Sequence, residues 1–100
     1  MQTFCEADKT IFTFTDKSGD TSTLTLEKAV ADGLQRCIGD AHAWIQRQYD
    51  GIIAGEPRFT KYIITLFPDQ KGELSRRAIG DTIRLVASIE AFRDIDDSAL

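Results

Sequence analysis

Oxygen-bearing side chains at alternate positions form the pattern best suited to chemistry in the first third of the chain. The set comprises Asp16, Ser18, Asp20 and Ser22. With Glu27 at the twelfth position, it copies the spacing of an EF-hand calcium loop. However, Thr21 stands where that loop needs glycine, and sequences typical of strands flank it. We therefore predict a polar turn here and no metal site.

The other metal-ligating and nucleophilic residues are sparse. His42 is the only histidine, and Cys5 and Cys37 are the only cysteines, without the CxxC spacing typical of zinc. Positions five apart on a helix point about 140° away from each other, so Cys37 and His42 do not form a dyad. We expect two free thiols in a reducing cytosol. His42 is expected at the margin of an apolar face; the alternative is an interface residue whose protonation tunes binding.

Acid–base catalysis would require two carboxylates in an apolar cleft. Glu27 and Glu90 are the only acids whose helical phase points toward the apolar faces, and both lie near helix ends. The sequence contains no glycine-rich phosphate loop, nucleophile elbow or HExxH motif. It therefore predicts no catalytic residue, no cofactor and a protein that is not an enzyme.

One basic cluster is present in the last third of the chain. Its members are Arg76, Arg77 and Arg84. They share a helical face, to which phosphates or an acidic partner could bind. Glu73 and Asp81 interleave with these cations, which favours a self-compensated, solvated surface. A nucleic-acid-associated protein using this face is the alternative.

Composition narrows the class of protein. Of the 100 residues, 42% are hydrophobic and 28% are charged, which is ordinary for one folded domain. The net charge of −4 argues against a general nucleic-acid binder, which needs surplus lysine and arginine. No apolar run reaches the roughly 18 residues of a membrane span, and the start lacks the layout of a signal peptide. We expect a cytoplasmic protein whose acidic tail, residues 94–100, frays.

Two early stretches predict a β-hairpin. Thr10–Thr15 and Thr21–Leu26 alternate threonine with larger apolar residues, and Asp16–Asp20 between them has the composition of a turn. The residues expected to share the buried face are Phe12, Phe14, Leu24 and Leu26.

A long amphipathic stretch follows, from Leu26 to Ile53, with Thr25 as its predicted N-cap. A helix of this length spans about 42 Å, whereas a compact domain of this size has a radius of gyration of about 13 Å. The mismatch indicates a kink or a partner. Gly39–Asp40 could end one helix and start another. Because the apolar phase does not reset there, we favour one continuous or gently bent helix.

Residues 58–67 fit either a helix begun by Pro57 or a strand. Tyr62–Thr65 is dense in β-formers, and Phe67 precedes a proline, so we predict a strand. A second helix is predicted from about Glu73 to Arg93. The expected fold class is α+β, with a small antiparallel sheet of hairpin and third strand and both helices on one face.

One face of the long helix is the predicted subunit interface. Its members are Cys37, Ala41, Trp44, Ile45, Gln48 and Ile52. Gln48 lies inside the apolar stripe, where a polar amide needs a partner or water. Such a residue often sets register between subunits, so we predict a homodimer. The alternative is that the margin of the stripe lies at the domain surface, with Trp44 half buried and Gln48 hydrated.

The resulting functional prediction is a small, acidic, non-catalytic protein-interaction module that self-associates and acts by binding or inhibiting another macromolecule. Inhibitors, immunity factors and phage accessory proteins belong to this class. A basic partner is expected to dock on acidic patches. These patches are Asp16/Asp20, Glu6/Asp8 and the tail Asp94/Asp96/Asp97.

Overall fold

A computed structural model describes residues 9–93 as an α+β globule. Cys5, the Glu6/Asp8 patch and the acidic tail lie outside the described residues. The elements are strands β1 (Lys9–Thr15) and β2 (Thr21–Glu27) and helices α1 (Lys28–Ile38), α2 (Ala41–Ala54), α3 (Thr60–Leu66) and α4 (Arg76–Ala91). A 3-10 turn at Pro57–Phe59 leads into α3.

The predicted hairpin is confirmed. Strands β1 and β2 pair antiparallel from Lys9↔Glu27 to Thr15↔Thr21. The face bearing Phe12 and Leu24 is buried, while threonines line the other face. The period-two alternation of the sequence therefore fixed which face packs on the core.

The long amphipathic stretch is two helices, so the prediction of one continuous helix was wrong. Gly39 adopts a φ of 97°, which ends α1 because few other residues tolerate that conformation. The Asp40 side chain then accepts a hydrogen bond from the Ala43 N–H and caps α2. Thr25, the predicted N-cap, lies within β2 instead. The apolar phase continues across the break because both helices bury the same side against one core.

The predicted third strand is also wrong. Residues 60–66 form α3, and among residues 9–93 the sheet has two strands. Phe59, only 1% exposed, anchors the start of this helix in the core. A helix satisfies its backbone hydrogen bonds internally, whereas a strand here would need a sheet edge beside it. Local β propensity was therefore overridden by packing.

The C-terminal helix begins three residues later than predicted. Ser75 accepts a hydrogen bond from the Ala78 N–H and caps α4 at Arg76. The last turn of α4 packs closely on α1, because Gly33 presents no side chain to Ala91. The large, fully buried side chains at the centre of the core are Leu26, Leu34, Ile45, Phe59, Thr82 and Ile83.

Candidate functional site

An open groove of about 990 Å³ separates the hairpin from the first half of α4. One wall is the outer edge of β2 from Thr21 to Leu24. The other wall carries the predicted basic cluster, Arg76, Arg77 and Arg84. The volume lies at the upper end of the range typical of ligand sites.

The β2 wall presents unpaired backbone groups. In an antiparallel pair, the peptide groups of alternate residues point toward and away from the partner strand. The Asp16 N–H donates to the Asp20 carbonyl across the turn, so the groups of Thr21 and Thr23 point away from β1. Within residues 9–93, these outward groups of Thr21 and Thr23 have no hydrogen-bond partner. They line the groove.

The same end of β1 is sealed. The Gln46 side chain of α2 accepts a hydrogen bond from the Thr15 N–H at 2.8 Å and donates to the Thr15 carbonyl at 2.9 Å. Next to it, the Tyr49 hydroxyl accepts from the Lys17 N–H at 2.8 Å. Beside the turn, therefore, the hairpin is open along β2 at Thr21 and closed along β1 at Thr15.

The three arginines differ in their pairing. Arg84 donates to the Thr25 carbonyl and pairs with Asp81, both at 3.0 Å, and so ties α4 to the far end of the β2 edge. Arg77 pairs only loosely with Asp81, at 3.8 Å, and its side chain is 89% exposed. The Arg76 side chain forms no hydrogen bond or ion pair with the rest of the described chain, although its charge acts on Asp16. The predicted pairing of the arginines with Asp81 thus applies to Arg77 and Arg84, and Arg76 lies outside it.

The proposed docking residues Asp16 and Asp20 lie at the tip end of the groove. The Asp16 carboxylate accepts hydrogen bonds from the Ser18 N–H, the Asp20 N–H and the Ser22 hydroxyl. The hydrogen bond from Ser22, followed by those from the backbone and by the charge of Arg76, holds the pKa of Asp16 below its ordinary value. These hydrogen bonds show that Asp16 holds the turn together. Asp20 is exposed.

A glycine keeps part of the groove empty. Gly80 lies in the interior of α4, where glycine is less favourable than alanine. A Cβ built on Gly80 would meet nothing closer than Nη1 of Arg84 at 3.4 Å and Cδ1 of Leu24 at 3.7 Å. At Gly33, by contrast, a Cβ would lie 2.8 Å from the carbonyl oxygen of Ala91. Packing therefore requires glycine at position 33 but does not require it at position 80.

The predicted subunit interface lies largely inside this domain. Ala41, Trp44, Ile45 and Ile52 are buried in the core cluster, and Cys37 is partly buried. Gln48 is 4% exposed; it donates to the Trp44 carbonyl and accepts from the Arg58 guanidinium. The polar amide thus finds its partners within the chain. The break after α1 also removes the overhang that suggested a partner for this face.

The other residues considered for chemistry lie apart. Glu27 pairs with Lys9, and Glu90 pairs with Arg93, so the structure does not join the two acids in one cleft. His42 is exposed and lies edge-on to Phe12, with ring centroids 4.9 Å apart. Within residues 9–93, no cluster of histidine, cysteine and acidic residues has the arrangement of a metal site.

A second, smaller groove of about 510 Å³ lies between α3 and the end of α2. It is lined largely by apolar side chains, of which Ile53 and Ile64 are 40% and 59% exposed. A Lys17–Glu73 ion pair at 3.2 Å lies at this groove. This surface, unlike the first groove, has no free backbone edge.

Sequence reasoning missed Thr21, Thr23 and Gly80 as possible site residues. The strand pattern marks the threonines as solvent-facing but cannot tell which hairpin edge another element covers. Gly80 carried a usable signal, since a glycine inside a strongly periodic helix calls for an explanation.

Comparisons of the chain with protein-family models, curated proteins and solved structures found no match. No helix within residues 9–93 combines the length and apolarity needed to cross a membrane.

Proposed function

We propose that the protein is a non-catalytic interaction module that binds an acidic segment of another polypeptide in the groove between β2 and α4. The observation that carries the proposal is the guanidinium of Arg76, which forms no hydrogen bond or ion pair within the described residues, beside the unpaired edge of β2. A carboxylate there would gain a charge-assisted hydrogen bond, and a polypeptide backbone would match the strand edge. Occupying such a segment is a simple way to inhibit the partner that carries it.

A polypeptide fits this surface better than a nucleic acid. Nucleic-acid affinity comes largely from several unpaired cations along a phosphate backbone. Here Arg84 is engaged by Thr25 and Asp81, and Asp16 and Asp20 line the same groove. One free arginine among these groups suits a single carboxylate in a defined position.

The test is a selection from a random dodecapeptide display library with the 100-residue protein as bait. We expect enrichment of peptides with acidic residues, followed by measurable binding of a synthetic consensus peptide. Arg76→Glu should weaken that binding about tenfold or more, because a charge-assisted contact becomes a repulsion.

Arg47→Glu is the matched control, since Arg47 is an exposed arginine on α2 that lines neither groove. It makes the same charge change and should leave affinity nearly unchanged. The proposal fails if no peptide is enriched, or if both reversals have equal effects. Binding of a single-stranded DNA oligonucleotide through Arg76, with steep salt dependence, would favour the nucleic-acid alternative instead.

A further inference from the structure

We infer that the acidic segment binds as a third β-strand, added to the edge of β2 at Thr21 and Thr23. This inference rests on the proposed function and specifies the binding mode. An extended peptide that adds a strand gains affinity from main-chain hydrogen bonds and specificity from alternate side chains.

The backbone of β2 limits where the added strand can lie. The outward N–H and C=O groups of Thr21 and Thr23 supply two donors and two acceptors. Beyond them, Arg84 Nε already occupies the Thr25 carbonyl. The ladder therefore ends at Thr25, which fits a short strand of about four or five residues at roughly 3.4 Å each.

The opposite wall selects the side chains of that strand. Successive residues point to opposite faces, so every second side chain would face α4 and the others would lie beside the solvent-exposed threonines. Arg76 supplies the unpaired positive charge on the α4 side. The surrounding packing would permit a Cβ at position 80, so the glycine there leaves room on that wall for a neighbouring backbone. An acidic residue at the position that faces α4 opposite Arg76 is the expected consensus, and alternating glutamates offer one in each register.

The probe is a capped octapeptide of alternating threonine and glutamate, and the control peptide alternates threonine and lysine. Amide exchange by NMR reports the binding mode. With the glutamate peptide at about ten times its Kd, exchange of the Thr23 N–H should slow about tenfold if only the free form exchanges. The lysine peptide should give no protection.

Two changes test the backbone contacts directly. Thr23→Pro removes the outward N–H without touching the β1–β2 ladder, and proline is tolerated at such edge positions. It should weaken binding about fivefold to tenfold, which is the change in Kd expected from losing one hydrogen bond. Thr13→Pro is the matched control, because it removes the corresponding outward N–H of β1, outside the groove. If Thr23→Pro does not fold, peptides N-methylated along one edge make the same test from the ligand side.

The outcomes separate the two proposals. Peptide binding that depends on Arg76, but leaves Thr23 exchange unchanged and tolerates N-methylation along either edge, overturns strand addition and keeps the groove as the binding site. Absence of binding by any acidic peptide overturns both. Slower exchange of the Thr23 N–H, together with a loss of affinity in Thr23→Pro but not in Thr13→Pro, supports both proposals.

Discussion

The two ends of α4 meet the rest of the molecule in opposite ways. At its C-terminal end the helix packs closely on α1, with Gly33 against Ala91. At its N-terminal end the same helix stands away from β2 and leaves a groove of about 990 Å³. A glycine lies at each end, Gly33 of α1 at the closed end and Gly80 of α4 at the open end. Only at Gly33 would a Cβ collide with neighbouring atoms. A glycine in a helix can thus mark either a close contact or a space that is kept open.

Substitution of Gly33 should have the largest effect. Gly33→Ala places a methyl group 2.8 Å from both the Cβ and the carbonyl oxygen of Ala91. The helices must separate, and we expect the free energy of unfolding to fall by about 1–3 kcal/mol despite the better helix propensity of alanine. Urea denaturation followed by circular dichroism measures this. A variant as stable as the wild type would show that this end of α4 is not closely packed.

Removing the cap of α4 should have the next largest effect. Ser75→Ala leaves the Ala78 N–H without its side-chain acceptor, and such changes lower stability by about 1 kcal/mol. Ser75→Asp, which keeps an acceptor, is the control and should restore most of the loss. Because the groove is built on this first turn, amide exchange should increase at residues 76–79 more than at residues 87–91. If amide exchange increased equally at residues 76–79 and 87–91, the first turn of α4 would not open independently of the closely packed end.

Gly80→Ala should have the opposite sign to Gly33→Ala. No contact shorter than 3.4 Å opposes its Cβ, so we expect a stability gain of about 0.5–1 kcal/mol from helix propensity. Gly80→Leu should also be tolerated, but its side chain would fill the groove and abolish binding of the glutamate octapeptide. Destabilisation by alanine would mean that the two ends are equally closed.

The smallest of the four predicted effects is a loosening of the Asp16 turn, at the tip end of the groove, in acid. The pKa of Asp16 is lowered from its ordinary value of 3.8, first by the Ser22 hydrogen bond. The ionised carboxylate therefore stabilises the turn at pH values above that ordinary value. This contribution is lost as the pH falls through the lower, folded-state pKa. In Asp16→Asn, exchange of the Ser18 and Asp20 amides should depend less on pH in this range; the same dependence as in the wild type would contradict the assignment.

The sequence predicted those features that depend on local patterning. Alternating threonine and apolar residues located the hairpin and its buried face, and the apolar periodicity of residues 76–91 located α4. A steady apolar phase predicts one continuous helix across Gly39, but the same phase is compatible with two helices that share one core, as the structure has them. The predicted strand over residues 58–67 was wrong because burial of Phe59 stabilises the helical arrangement more than the β propensity of Tyr62–Thr65 stabilises a strand.

The candidate site was only partly predictable for a related reason. Arg76, Arg77 and Arg84 were found by their helical spacing, but which of them lacks an ion-pair partner depends on where Asp81 and Thr25 lie in space. The sequence places Gln48 in an apolar stripe, but it cannot show that Arg58, ten residues away, donates a hydrogen bond to its side chain. Unpaired strand edges are likewise a property of the assembled fold and have no local sequence signature.

The amide of Gln46 has a consequence for stoichiometry. By bonding both backbone groups of Thr15, one side chain takes the place that a neighbouring strand would fill. At Thr15, the hairpin is therefore closed to a further chain along β1, while the β2 edge opposite stays open. Beside the turn, each molecule should thus bind one segment, in the groove, because Gln46 occupies the place on β1 where a second segment would pair.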